Sequence, residues 1–147
     1  MPDDGPGTLD DLLRRASESI DRLAPADAYA EARVGALLVD IRSELARERD
    51  GIVPGSLHIP RTVLEWRVAR DSGWRNPSVT WPDQRLILIC DHGCSSVLAA
   101  ATLAELGFVR AADVIGGFEA WREAGLPVTP APPTQQGALS GLGGPDV

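Results

Sequence analysis

The sequence predicts an α/β domain, a five-stranded, mainly parallel sheet with helices on both faces. Three observations carry that expectation. Short, continuous apolar runs at Leu86–Ile89 and within Gly35–Arg42 have the length and composition of strands buried on both faces, as parallel strands are. Stretches with apolar residues at helical spacing separate the strand-like runs, the order of βαβ units. Glycines close those stretches, Gly107 and Gly125 among them, where a left-handed residue ends a helix.

The elements follow in order. Residues 1–7 are acidic and rich in helix breakers, and form an expected disordered lead-in without an apolar signal-peptide core. Thr8 is placed to cap a short helix with Asp10 and Asp11 in its first turn and Leu9, Leu12, Leu13 and Ala16 as its apolar stripe. Ile20–Leu23 is a candidate edge strand, and Pro25 opens a second helix. Gly35–Arg42 is a buried strand ending on Asp40 and Arg42. These two either lie at the ligand-binding edge of the sheet or merely satisfy loop N–H groups and ion-pair nearby. Ser43–Asp50 is a charged helix or loop, and Gly51–Pro60 a turn leading into a short strand.

Arg61–Arg85 is the least regular stretch. It holds Trp66, Trp74 and Trp81 and five arginines, Arg61 among them. One reading makes it a flap that brings a guanidinium to the central loop; the other makes it a surface excursion pinned by buried indoles. Beyond the central helix, Ala112–Ile115 is a strand, Gly116-Gly117 a turn, and Phe118–Ala124 a helix with Trp121 in the core. The domain is expected over residues 8–128. Proline, glycine and small polar residues dominate 129–147, as in a flexible tail.

The chemistry centres on Cys90. It follows the apolar run Leu86–Ile89 and precedes the helix that carries Val97, Leu98, Ala101 and Leu103–Leu106. Loop and first-turn N–H groups converge on such a position and stabilise an anion there, which for cysteine is the thiolate. A cysteine phosphatase needs Cys-x5-Arg so that a guanidinium can fork onto the phosphoryl oxygens; six positions after Cys90 stands Ser96. Cys94 raises the alternative of a two-cysteine redox relay, which spacing alone does not decide.

Four motifs then occur in register: Val39-Asp-Ile-Arg42; Gly51-x-x-Pro54-Gly55-Ser56-x-x-Ile59-Pro60; Cys90-Asp-His-Gly-Cys-Ser95; and Gly116-Gly-Phe-x-Ala-Trp121. In this order they resemble a single-domain rhodanese, over residues 20 to 128 or so. The resemblance implies a sulfurtransferase or sulfane-sulfur carrier that forms a persulfide on Cys90 and passes it to a thiol, cyanide or sulfite acceptor. Asp91, His92, Gly93, Cys94, Ser95 and Ser96 would form the binding loop, with Asp40, Arg42 and Arg61 as supporting residues. No cofactor and no metal are implied. The chain departs from the family in two places: Ile52 replaces a histidine of the turn, and Asp91–Ser96 contains no arginine. The second departure predicts weak use of the dianion thiosulfate and a preference for polysulfide or a low-molecular-weight persulfide. An inactive module that binds a partner or senses sulfide is the alternative.

Composition narrows the rest. The 147 residues carry a formal charge of −7, with fourteen arginines and no lysine, which disfavours nucleic acid and anionic membranes as partners. No apolar run approaches the ~20 residues of a membrane span, and a cytoplasmic location is the expectation. Two cysteines do not make a disulfide framework in a chain of this size. Oligomeric state is not legible.

Overall fold

The computed structural model describes residues 7–80 and 82–132. Five strands form one parallel sheet: β1 (Asp21–Leu23), β2 (Leu37–Asp40), β3 (Leu57–His58), β4 (Leu86–Ile89) and β5 (Ala112–Val114), in the spatial order β1-β5-β4-β2-β3. Among the described residues six helices surround it: α1 (Leu9–Glu18), α2 (Pro25–Arg33), α3 (Glu44–Asp50), α4 (Leu64–Val68), α5 (Ser95–Glu105) and α6 (Gly117–Glu123). The most apolar strand, β4, sits in the middle of the sheet and is buried along its whole length. Its side chains divide by parity. Leu86 and Leu88 face a cluster with Leu64 and Val68 of α4 and Ala99, Ala100 and Leu103 of α5. Ile87 and Ile89 face Ala28 of α2 and Phe118 and Trp121 of α6. Continuous apolar sequence is what two covered faces require.

Local signals explain the element ends. Thr8 Oγ1 accepts the Asp11 N–H at 3.2 Å, capping α1, whose Ala16 is buried. Pro25 occupies the first turn of α2, where its missing N–H costs nothing. Ser43 Oγ accepts the Ala46 N–H at 3.1 Å and settles 44–50 as a helix. Trp121 is fully buried, with its indole N–H donating to the Pro127 carbonyl at 2.9 Å. An antiparallel bridge between Ile52 and Thr129 ties the chain down one residue into the stretch read as tail. Residues 1–6 of the lead-in and 133–147 of the tail lie outside the described residues, as does Trp81.

The 61–85 segment is held by different side chains from the indoles expected to pin it. Residues 61–63 form a 3-10 turn that runs into α4. Among the described residues the apolar side chains that pin the segment are Leu64, Val68 and Val79, all buried, whereas Trp66 is 57% exposed and Trp74 38%. Arg67 is buried and donates to the Trp74 carbonyl, holding the following loop in place. Trp66 and Trp74 stay at the surface because aliphatic residues on α4 already fill the space against the sheet.

Candidate active site

Every strand of the sheet runs the same way, so the carboxyl ends of β1, β2, β4 and β5 lie along one edge. Cys90 follows β4 at that edge. By parity its side chain falls on the α5 side, and it is 4% exposed. The loop from Asp91 to Cys94 turns back over the sulfur and feeds α5. Gly93 makes the turn possible, with φ of +81° and no room for a Cβ, which would lie 2.6 Å from the Gly116 N. Gly117 meets the loop from below: a Cβ there would lie 2.5 Å from the Cys90 carbonyl oxygen and 2.7 Å from the Gly93 N. The Phe118 N–H donates to the Cys90 carbonyl at 2.7 Å and the Glu119 N–H to the Asp91 carbonyl at 3.1 Å. The start of α6 therefore clamps the loop.

Around Sγ, the Gly93 N–H donates at 3.1 Å and Ser96 Oγ lies at 3.3 Å. Burial alone would push the Cys90 thiol up. The Ser96 side chain and amide, the Ser95 side chain and the Gly93 amide outweigh it, and the thiol is held below its usual value. The group can therefore be a thiolate at a pH where an ordinary cysteine is not.

The sequence-predicted residues divide by location. Cys90, Gly93 and Ser96 meet at the sulfur. Ser96 does this from inside α5; neither it nor Ser95 is the helix cap, a place taken by Cys94 without a side-chain capping bond. Cys94 and Cys90 are both free thiols, one exposed and one buried. Asp91 is half-buried, and exposed His92 pairs through Nδ1 with Glu119 at 2.7 Å, fastening the loop tip to α6. Asp40 and Arg42 pair with each other. The Arg42 Nη2 donates to Asp40 Oδ2 at 2.8 Å and to the Gly51 carbonyl at 2.8 Å, and its guanidinium stacks 3.8 Å from the Phe118 ring. Their support of Cys90 is indirect, through the Phe118 backbone. Arg61 pairs with Glu65 at 2.9 Å.

Two residues were missed. Ser96 Oγ lies 2.7 Å from Asp113 Oδ2 on β5, and Asp113 is fully buried. Arg22 on β1 grips that carboxylate with a fork, Nε to Oδ1 at 2.9 Å and Nη2 to Oδ2 at 3.1 Å, and Nη2 also donates to the Gly93 carbonyl at 3.0 Å. An aspartate inside the apolar run Ala112–Ile115 was the available signal, because a lone carboxylate is not buried without a partner.

The rhodanese-like domain family matches residues 24–124 of the chain. The chain belongs to that family. Among its relatives is the thiosulfate sulfurtransferase GlpE of Pseudomonas syringae, 36% identical over 102 residues that cover 69% of this chain and 86% of the relative. Among solved structures, a Rhodopseudomonas palustris protein of unknown function, described as a possible tyrosine phosphatase, superposes with a TM-score of 0.77 at 36% identity. The match covers 88% of this chain and 99% of that one. The polysulfide-sulfur transferase homodimer of Wolinella succinogenes superposes with a TM-score of 0.67 at 26% identity, covering 81% and 85% of the two chains. In this rhodanese-like chain Ser96 is committed to Cys90 and Asp113 at the position where a phosphatase places its arginine. No helix among the described residues is long and apolar enough to cross a membrane.

Proposed function

We propose that the protein is a sulfurtransferase that carries sulfane sulfur as a persulfide on Cys90. The observation that carries this reading is the buried Sγ under the Gly93 N–H and Ser96, with the thiol held below its usual pKa. The sulfurtransferases among its relatives support the same class of reaction.

The Cys90 thiolate attacks the outer sulfur of a donor R–S–S⁻. The donor's S–S bond breaks, R–S⁻ leaves with the electron pair, and Cys90 Sγ–S⁻ remains. With thiosulfate the leaving group is sulfite. A thiolate, cyanide or sulfite acceptor then attacks the outer sulfur, and the Sγ–S bond breaks to return the Cys90 thiolate. One hard transfer becomes two easier ones, with ping-pong kinetics. The amides that stabilise the thiolate also suit the persulfide anion, so the loop does not have to rebuild its electrostatics between half-reactions.

Donor choice turns on charge. The Arg22 guanidinium reaches the loop, but its charge is offset by Asp113, and the loop itself contributes half-buried Asp91 and no arginine. This favours a reacting group with a single negative charge, as in hydropolysulfide or a low-molecular-weight persulfide, over the dianion thiosulfate. The test is intact-mass analysis and peptide mapping after exposure to thiosulfate, polysulfide and glutathione persulfide in turn. A gain of about 32 Da, one sulfur atom, is expected on the Cys90 peptide and is lost in Cys90→Ser. No adduct with any donor would sink the proposal. Equal labelling of Cys94 would replace it with a two-cysteine relay.

A further inference from the structure

The contacts around Cys90 close into a ring, and the residue that closes it lies outside the loop. From sulfur, Ser96 Oγ is 3.3 Å away and Asp113 Oδ2 lies 2.7 Å beyond it. Asp113 is held by the Arg22 fork, and the same guanidinium donates to the Gly93 carbonyl at 3.0 Å. The Gly93 N–H then returns to Sγ at 3.1 Å. We infer that Arg22 and Asp113 are positioning residues for Cys90. Together they aim the Ser96 hydroxyl and the Gly93 amide at the sulfur, and their opposed charges offset each other so that neither alone sets the pH at which it titrates.

Proton counting shows how the ring accommodates both forms of the sulfur. Ser96 has one hydroxyl proton and two neighbours able to take it. With Cys90 as a thiol, S–H donates to Ser96 Oγ and the hydroxyl donates to Asp113. When the thiol gives its proton to solvent, the hydroxyl turns to the sulfur, and Asp113 keeps the two N–H donors of Arg22. Neither form leaves a buried donor or acceptor stranded.

Charge gives the second half of the argument. Asp113 Oδ2 lies within about 6 Å of Sγ. Alone, a carboxylate there would raise the thiol's titration midpoint by about one to two pH units. Arg22, directly beside Asp113 in the parallel pairing of β1 with β5, offsets it. Two apolar residues would join those strands at least as well, since Asp113 gives up its hydration for a guanidinium that is itself still 32% exposed. Other ionisable groups at this edge are His92 paired with Glu119, Asp40 paired with Arg42 and Arg47, His58 on the Arg42 carbonyl, Asp91 with Arg49 facing its charge, and Cys94 within the loop.

This inference deepens the reading of Cys90 as the reacting thiol, and its test uses no sulfur donor, so the two can fail separately. The rate of iodoacetamide alkylation at Cys90 is followed against pH by peptide mass in the full chain. Asp113→Asn is expected to lower the midpoint by about one pH unit, Arg22→Met to raise it by about one, and the double variant to return it to within about half a unit of wild type. A merely structural pair would move both single variants in the same direction or neither, and that result overturns the inference. Should Arg22→Met fail to fold, Asp113→Asn decides alone: a midpoint that rises or stays put overturns it. If the midpoints move as expected while no donor leaves an adduct, sulfur transfer falls and the positioning role stands.

Discussion

Gly117→Ala joins the fold and the site in one perturbation. Gly117 has φ of +64°, a left-handed conformation that costs an alanine roughly 1–2 kcal/mol. The added Cβ would also stand 2.5 Å from the Cys90 carbonyl oxygen, 2.7 Å from the Gly93 N and 2.8 Å from the Asp91 carbonyl carbon. Ordinary contact begins at 3.4 Å, so the nearest of these backbone atoms must retreat by about 0.9 Å. None belongs to a flexible side chain that could swing aside. The retreat pulls on the Phe118 N–H to Cys90 and Glu119 N–H to Asp91 bonds, each worth about 1 kcal/mol net. Together these effects predict a loss of about 2–4 kcal/mol in stability, read as a lower urea midpoint at unchanged slope. Because the Gly93 N–H that faces Sγ is among the atoms displaced, alkylation and sulfur loading at Cys90 should fall at least about tenfold under conditions where the variant is fully folded. A variant with the wild-type urea midpoint and wild-type Cys90 reactivity would refute the claim that α6 clamps the loop.

Three further predictions follow from the same contacts. Ser96→Ala removes a hydroxyl whose bond to the charged sulfur is worth about 1.5–3 kcal/mol, so the Cys90 alkylation midpoint should rise by about one pH unit or more; an unchanged midpoint would mean that the hydroxyl serves Asp113 alone. Asp91→Arg should raise kcat/KM for thiosulfate about tenfold, or ~1.4 kcal/mol at the transition state. That gain should shrink in high salt, and efficient wild-type turnover of thiosulfate with no response to the substitution would place the needed charge elsewhere. His58 is held below its usual pKa by burial, although its Nε2 meets the Arg42 carbonyl at 2.8 Å. The unfolded chain therefore takes up that proton first. Its contribution to stability is full above the unfolded value near 6.5 and is lost as pH falls through the lower folded value. His58→Gln keeps an N–H donor without the titration and should show a smaller drop in urea midpoint between about pH 7 and pH 5; identical drops would remove His58 from the acid response.

What the sequence made legible was local, and what it hid was paired across distance. Leu86–Ile89 announces a central strand because every residue in it is apolar, and Cys90 is then placed at the sheet edge by chain continuity alone. Gly93 and Gly117 are readable as turn residues, but their mutual fit, a loop pressed on a helix start, needs the fold. Arg22 and Asp113 are 91 residues apart, and each taken singly reads as an exposed edge charge or an oddity in a strand. They become meaningful only through the order β1-β5-β4, which sets them side by side and next to the strand that carries Cys90. The missing loop arginine shows the same limit. A scan of Asp91–Ser96 finds no guanidinium, yet one reaches the loop from the edge strand and arrives already matched by a carboxylate. Where the active-site charge resides is thus a property of strand order. The motif locates the candidate sulfur, and the sheet topology determines the electrostatics around it.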